Sequence, residues 1–325
     1  MTENTLLSVE DLRTYFYTNA GIVKAVDGVS FSVKAGEALG LAGESACGKS
    51  VTCLSILRLV PQPTGRIVGG KIIFEGEDLL TKPEKEMTQW RGKKISMILQ
   101  DPLMSLNPVY TIGEQVAEAF RLDKIKHAIR QHVIDVLSSV KIPSAAERLN
   151  SYPFQFSGGM RQRTAAAIAI ARSPKLLIAD EPTTSLDVTI QDQFLKLLKE
   201  MQQKNNMALI LVTHDLSIVA ETCDRVAIMY AGRIVESGSV KRVYENPGHP
   251  YTQALMQAIP RLGRKSKRLF QIEGEPPNPA KLPPGCYFHP RCHKVMDICR
   301  VEYPPVFNME EDGYAACWLL KKGEV

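Results

Sequence analysis

The sequence predicts an α/β fold with a parallel core sheet, followed by a small cysteine-rich C-terminal domain. Three observations predict it. Short apolar runs such as "ALGLA" (38–42), "KLLIA" (175–179) and "ALILV" (208–212) are interleaved with segments of helical periodicity, as in a parallel sheet with crossover helices. A glycine-rich loop, "GESACGKS" at 43–50, joins one such strand to one such helix. From about residue 238 Pro, Gly, Cys and basic residues take over, and four of the seven cysteines crowd the tail.

The elements follow in order. Residues 1–80 read as strands and turns: "LLSVEDL", "KAVDGVSFSV", "ALGLAG" and "GKIIFEG". The segment "VTCLSILRLV" has helical spacing and runs up to Pro61. "ISMILQ" (95–100) is another strand. Over 111–142, Ile112, Val116 and Phe120, then Ile129, Val133, Val136, Leu137 and Val140, recur at helical intervals and mark a helical insertion. The Ala-rich run "MRQRTAAAIAIAR" is a helix, and the strands "KLLIA", "ALILV", "RVAIM" and "RIVESG" follow it. The domain boundary falls at 238, giving domains 1–238 and 239–325, with a helical subdomain at about 101–160.

Composition narrows the function class. With 325 residues the chain has room for one large domain and a small one. Its 44% apolar and 23% charged content is that of a soluble globular protein, and a net charge of +5 does not call for nucleic acid. The start, "MTENTLLSVEDLR", has neither a basic n-region nor an apolar h-region. No uninterrupted apolar run approaches the roughly 18 residues of a membrane helix. The expectation is a cytosolic chain able to dock on a membrane protein.

The loop at 43–50 fits G-x-x-x-x-G-K-[ST]. In this pattern the backbone N–H groups of Gly43, Glu44, Ser45, Ala46, Cys47 and Gly48 wrap phosphates. Lys49 reaches the β/γ oxygens, and the Ser50 hydroxyl ligates Mg²⁺. Val51 and Thr52 open the helix, with Thr52 near the α-phosphate. Ala46 stands where many such loops carry Gly, and a positive φ there would cost about 1 kcal/mol. The strand "KLLIA" ends in two carboxylates. Asp180 suits Mg²⁺ and its waters, and Glu181 suits polarising the attacking water. Gln100 and His214 each end a core strand, where open α/β sheets bind ligands. Gln100 can reach Mg²⁺ or water, and His214 can donate to a γ-phosphate. A second anion-binding helix start lies at "FSGGMRQR" (156–163), where a serine and two glycines open the Ala-rich helix.

Taken together, "GESACGKS", "ILQDP", "FSGGMRQR", "LLIADEP", "SLD" (185–187) and "THD" (213–215) resemble, in order and spacing, an ATP-binding-cassette (ABC) ATPase over residues 6–240. The resemblance implies a RecA-like core with an antiparallel β subdomain and a helical subdomain, Mg²⁺-dependent ATP hydrolysis, and two cassettes facing head to tail. It implies that Ser157, Gly158, Gly159 and Met160 contact ATP held by a partner cassette, with Ser185, Leu186 and Asp187 as the D-loop. It also implies an aromatic residue stacked on adenine, Phe16 by position, with Tyr17 as the alternative. Phe156 and Met160 depart from the usual L-S-G-G-Q.

"NPGHPYTQALMQAIP" and "LPPGCYFHPRC" are similar to the ATPase subunits of dipeptide/oligopeptide importers. That resemblance implies a second ATPase subunit (a related chain or a copy of this one), two transmembrane permeases and an extracytoplasmic peptide-binding protein. It places the chain on the cytoplasmic face of the membrane. Cys286, Cys292, Cys299 and Cys317 are spaced C-x5-C-x6-C-x17-C, wider than most structural zinc pairs. Four thiolates satisfy a [4Fe-4S] centre, which the resembling tails carry; a zinc ion or no metal is the alternative. The basic stretch "RLGRKSKR" (261–268) reads as a solvated linker, with lipid phosphate or permease contact as the sharper idea. Two rival functions remain: a non-transport ABC protein acting on nucleic acid or ribosomes, and a regulatory subunit without turnover. The single cassette weighs against the first, and Glu181 with His214 against the second.

Overall fold

The computed structural model describes residues 4–101, 105–122, 128–184, 186–259, 270–309 and 313–321. The strands are β1 (Thr5–Thr18), β2 (Gly21–Lys34), β3 (Ala38–Ala42), β4 (Gly65–Phe74), β5 (Glu77–Asp78), β6 (Ile95–Ile98), β7 (Leu176–Asp180), β8 (Ala208–Thr213), β9 (Arg225–Tyr230), β10 (Arg233–Ser239), β11 (Phe307–Asn308) and β12 (Tyr314–Ala315). The helices are α1 (Lys49–Ile56), α2 (Glu84–Trp90), α3 (Ile112–Leu122), α4 (Ile129–Ser139), α5 (Ala145–Arg148), α6 (Gly158–Ile170), α7 (Val188–Lys204), α8 (Leu216–Thr222), α9 (Val240–Glu245) and α10 (Pro250–Ala258). The chain divides into two compact units, one of Met1–Val33, Leu39–Thr81 and Thr213–Val325, the other of Lys34–Ala38 and Lys82–Val212.

In the first unit a four-stranded sheet runs β2-β1-β4-β5, with β4 antiparallel to both β1 and β5. The β1–β4 register sets Leu7 opposite Phe74 and Val9 opposite Ile72, all fully or almost fully buried. A second run of strands, β11-β12-β10-β9-β3, carries the loop at 43–50 after β3. Every residue of β3 is buried, as expected of a strand covered on both faces. β3 is parallel to β9, but β10 returns antiparallel to β9. The two-residue link at Ala231 and Gly232 leaves no room for a crossover helix, so "RIVESG" adds an antiparallel strand to the parallel core. Helix α1 stops at Ile56, short of Pro61. Arg58 takes a left-handed φ of 53°, and Leu59 N–H donates to Leu54 O at 2.8 Å, a turn that closes the last carbonyls of the helix.

The C-terminal region does not form a compact unit of its own. β12 pairs with β10, and Ala316 N–H donates to Val235 O. The carboxylate of Glu236, fully buried in β10, accepts from the N–H groups of Gly248 and His249 and from the Arg242 guanidinium. A buried carboxylate so satisfied ties the chain beyond 238 to the strand before it.

In the second unit β8-β7-β6 are parallel, and β7 and β8 are buried along their whole length. The helical insertion is present as α3 and α4. Ile112, Val116 and Phe120, then Val133 and Leu137, turn inward at the predicted spacing. Helix α6 buries Ala165, Ala166, Ala167 and Ala169. Helix α7, capped by Asp187, buries Phe194, Leu195, Leu197, Leu198 and Met201 on one face.

Candidate functional site

The phosphate loop lies in the first unit and is shaped by three residues of positive φ: Gly43 at 155°, Ala46 at 61° and Gly48 at 106°. A Cβ at Gly43 would lie 2.2 Å from Met229 O, and one at Gly48 2.2 Å from Ala25 O, so both positions require glycine for space as well as conformation. Ala46 does occupy the left-handed region, so the substitution noted in the sequence carries its conformational cost. Lys49 Nζ donates to Gly43 O at 2.9 Å and to Glu44 O at 3.0 Å, which folds the side chain over the loop. Thr52 is buried and donates to Gly48 O at 2.9 Å, so its hydroxyl stabilises the first turn of α1. Cys47 is buried, and that burial raises its thiol pKa.

Glu44 is tethered through both its N–H and its carboxylate, whereas the sequence assigned it only a backbone N–H turned toward phosphate. Its N–H donates to Tyr251 Oη at 3.0 Å. Its carboxylate receives both arms of Arg291, Nη1 to Oε2 at 2.7 Å and Nη2 to Oε1 at 3.0 Å. Burial works to lower the Arg291 pKa, but Glu44 and Tyr230 more than offset it and keep the guanidinium charged. Tyr251 and Arg291 sit inside "GHPYTQAL" and "FHPRC", the stretches that carry the peptide-importer resemblance; that was the available signal, and it assigned them no role.

Phe16 is half-buried and its ring edge lies against Gly65, where a Cβ would come within 2.8 Å of Phe16 Cε1. Tyr17 is the more exposed of the pair and stacks under the Arg66 guanidinium. His214, also in this unit, follows β8 and is exposed. Asp215 after it caps α8, accepting from Ser217 N–H at 2.8 Å.

In the second unit Asp180 ends β7 and is buried. Glu181 comes next with φ 42°, a conformation costly for a residue with a side chain. Gln100 Nε2 donates to Glu181 Oε2 at 3.1 Å, and Thr184 Oγ1 donates to the same oxygen at 3.2 Å. The structure thus brings two predicted residues, Gln100 and Glu181, into direct contact and adds Thr184. Ser157 caps α6, its Oγ accepting from Met160 N–H at 3.3 Å. Ser157 and Gly158 face solvent, whereas Phe156 is buried and so serves the core. The two glycines differ. A Cβ at Gly159 would meet Ile190 Cγ2 at 2.6 Å, but at Gly158 the nearest atom is 3.8 Å away. Packing within the unit explains Gly159 and leaves Gly158 without an internal reason. Leu186 and Asp187 lead into α7; Ser185 lies outside the described residues, as does 261–268.

The second unit also holds a groove of about 430 Å³ at the end of β6, lined by Leu99, Leu106, Leu122 and Ile168 and also by the charged Arg91, Glu118 and Arg172. Leu99 and Leu122 are exposed at its mouth.

Cys286, Cys292, Cys299 and Cys317 line one apolar cavity with Phe288, Pro304 and Trp318. Burial pushes the Cys286 thiol up to about 11 and Cys317 up to about 12, and the other thiols add to the shift. Among the described residues no group of three or more His, Cys, Asp or Glu side chains is placed to hold a metal ion. Among them, too, no helix is long and apolar enough to cross a membrane.

Comparison with known proteins agrees with this geometry. A family model described as ABC transporter matches residues 26–184, and one described as oligopeptide/dipeptide transporter, C-terminal region, matches 235–299. The probable peptide ABC transporter ATP-binding protein y4tR of Sinorhizobium fredii is 49% identical, over 96% of this chain and 94% of its own. The dipeptide transport ATP-binding protein DppD of Escherichia coli is 48% identical, over 95% of this chain and 94% of its own. Among solved structures, cbiO1 of Clostridium perfringens, part of the ABC transporter complex cbiONQ, superposes with a TM-score of 0.64 at 28% identity, covering 75% of this chain and 92% of that one. Likeness of this extent, running through the loop at 43–50 and on into the cysteine-bearing tail, means that the chain belongs to the ATP-binding proteins of dipeptide and oligopeptide ABC transporters, a family of ABC ATPases.

Proposed function

We propose that the chain hydrolyses ATP to drive peptide import through two permease subunits at the cytoplasmic face of a membrane, fed by an extracytoplasmic peptide-binding protein. The observation that carries the reading is the likeness to DppD over nearly the whole chain, tail included. The loop residues Gly43–Thr52 bind the phosphates, with Lys49 countering their charge and Phe16 stacking on the adenine. Ser50, Asp180 and Gln100 are the residues that would hold Mg²⁺, which would neutralise charge on the transferred phosphoryl group. Glu181 accepts the proton of the attacking water, and its carboxylate is oriented for this by Gln100 and Thr184. His214 donates to the γ-phosphate.

Ser157 and Gly158, exposed at the positive end of α6, receive the γ-phosphate of ATP on a facing cassette. The free space at Gly158 supports this, because the residue lacks a side chain for which the unit itself has room. Met160 offers its N–H to Ser157 and has no amide to extend the contact. The D-loop residues Leu186 and Asp187 serve the same closure. The groove at the end of β6 accepts a short permease helix, so that a change at Gln100 is felt there through its neighbour Leu99.

The four thiols suit a [4Fe-4S] cluster. Cys299 and Cys317 are buried and Cys286 and Cys292 half-buried, and the four, which repel one another as thiolates, would hold a cationic iron–sulfur core. Bound there, the cluster would cross-link a region that has few apolar side chains to bury. Co-purification with two membrane proteins, and ATPase activity stimulated by peptide-loaded binding protein, is the expected result. A chain that copurifies with nucleic acid or ribosomes instead contradicts the reading. Iron and sulfide in anaerobically prepared protein, lost in Cys292→Ser, tests the cluster; zinc without sulfide contradicts it.

A further inference from the structure

Glu44 places a carboxylate within an anion-binding loop, where it repels the phosphates the loop must hold. Each of its polar groups is held. Its carbonyl accepts from Lys49 Nζ, its N–H donates to Tyr251 Oη, and its carboxylate is gripped bidentately by Arg291. The last two partners come from the C-terminal region. The Arg291 side chain is only 4% exposed, against 27% for Glu44, so the pair is screened from water more on the arginine side. Arg291 is itself fixed. Its Nε donates to Glu273 O at 3.1 Å and its guanidinium lies over the Tyr230 ring. Its N–H donates to Phe288 O within the turn that runs from Cys286 to Cys292. Phe288 packs edge-on against Tyr230 and against Tyr251, so one aromatic cluster positions both residues that hold Glu44.

We propose that Arg291 is a positioning residue for nucleotide binding: it neutralises Glu44 and holds the phosphate loop in shape, so that the C-terminal region sets the ATP affinity of this chain. The inference rests on the reading that loop 43–50 binds ATP. Without Arg291 the Glu44 carboxylate stands uncompensated beside the incoming triphosphate, and the loop loses a bidentate anchor.

The test measures binding of a fluorescent ATP analogue to the full-length chain, with thermal melting of each variant alongside. Arg291→Met raises Kd roughly tenfold, the scale of a coupled buried pair. Arg291→Lys keeps the charge without the fork and falls between, at roughly threefold. The double variant Arg291→Met with Glu44→Gln recovers to within about threefold of wild type, because the uncompensated charge is gone. A residue that only supported the fold would lower the melting temperature without this rescue. An unchanged Kd in Arg291→Met and Arg291→Lys, or a double variant no better than Arg291→Met, overturns the proposal. A wild-type chain that does not bind the analogue overturns the underlying reading of the loop instead.

Discussion

Glu181 carries a side chain at φ 42°, where few residues other than glycine settle, and its carboxylate is held from two sides. Strain of this kind persists when surrounding contacts outweigh it, and here it aims one oxygen at Gln100 and Thr184. Under the proposed role, Glu181→Gln keeps ATP binding and slows hydrolysis roughly 10²- to 10⁴-fold, as steady-state ATPase assays of the assembled transporter will read. Turnover within a few-fold of wild type contradicts the assignment of the base. Ala46 gives a second residue-scale prediction. Its left-handed φ of 61° makes Ala46→Gly stabilising by about 1 kcal/mol, measurable by urea unfolding of the isolated chain. A destabilised variant would mean that the Ala methyl makes contacts that outweigh the strain. Gln100 and Glu181 were legible in the sequence because each ends an apolar strand. Thr184 and Arg291 were not: a threonine three residues past a carboxylate, and an arginine far along the chain, carry no periodicity to mark them.

At the scale of elements, the start of α6 separates two properties that a single mutation can test. Ser157 caps the helix and faces solvent, and it is no part of the loop at 43–50. Ser157→Arg should leave ATP binding by the isolated chain nearly unchanged. It should abolish hydrolysis in the assembled transporter, because a packed interface does not absorb a side chain so much longer, a cost of roughly 1–3 kcal/mol or more. Lost nucleotide binding by the isolated chain would contradict the facing-cassette reading. A second element-scale test concerns Asp27 in β2. It accepts from Tyr15 of β1 at 2.6 Å, Arg233 of β10 at 2.9 Å and Tyr287 at 3.0 Å. Burial alone would raise its pKa, but these donors together hold it below the ordinary value of 3.8. The stability this contributes is fully present above that unfolded value and is lost as pH falls through the lower folded one. Asp27→Asn should therefore cost roughly 1–3 kcal/mol at neutral pH, and the difference from wild type should fade in unfolding measurements below about pH 4. A constant difference across that range contradicts the linkage. Strand and helix positions were mostly readable from burial periodicity. The antiparallel return of β10 and the early stop of α1 were not, because each is decided by a turn at residues that carry no Gly-Pro or Asn-Gly signal, or only a single glycine.

At the scale of the molecule, the sequence suggested a separate C-terminal domain because the composition changes sharply at 238. Composition reports how little apolar surface that region buries by itself, not where it packs. The buried Glu236, with Arg242 and the N–H groups of Gly248 and His249 around it, joins the region to β10, and Arg291 and Tyr251 join it to the phosphate loop. The tail that identifies the peptide-transporter family thus contacts the loop assigned to ATP, within one unit. Under the proposed function, ATP hydrolysis by this chain moves peptides. Its most direct test is uptake of a labelled dipeptide into proteoliposomes holding the chain, its partner ATPase and the permeases, with binding protein on the side opposite the ATPases. Accumulation should require ATP on the ATPase side and stop when a non-hydrolysable analogue replaces it. Accumulation that continues with the analogue, or hydrolysis that proceeds with no peptide movement, would contradict it.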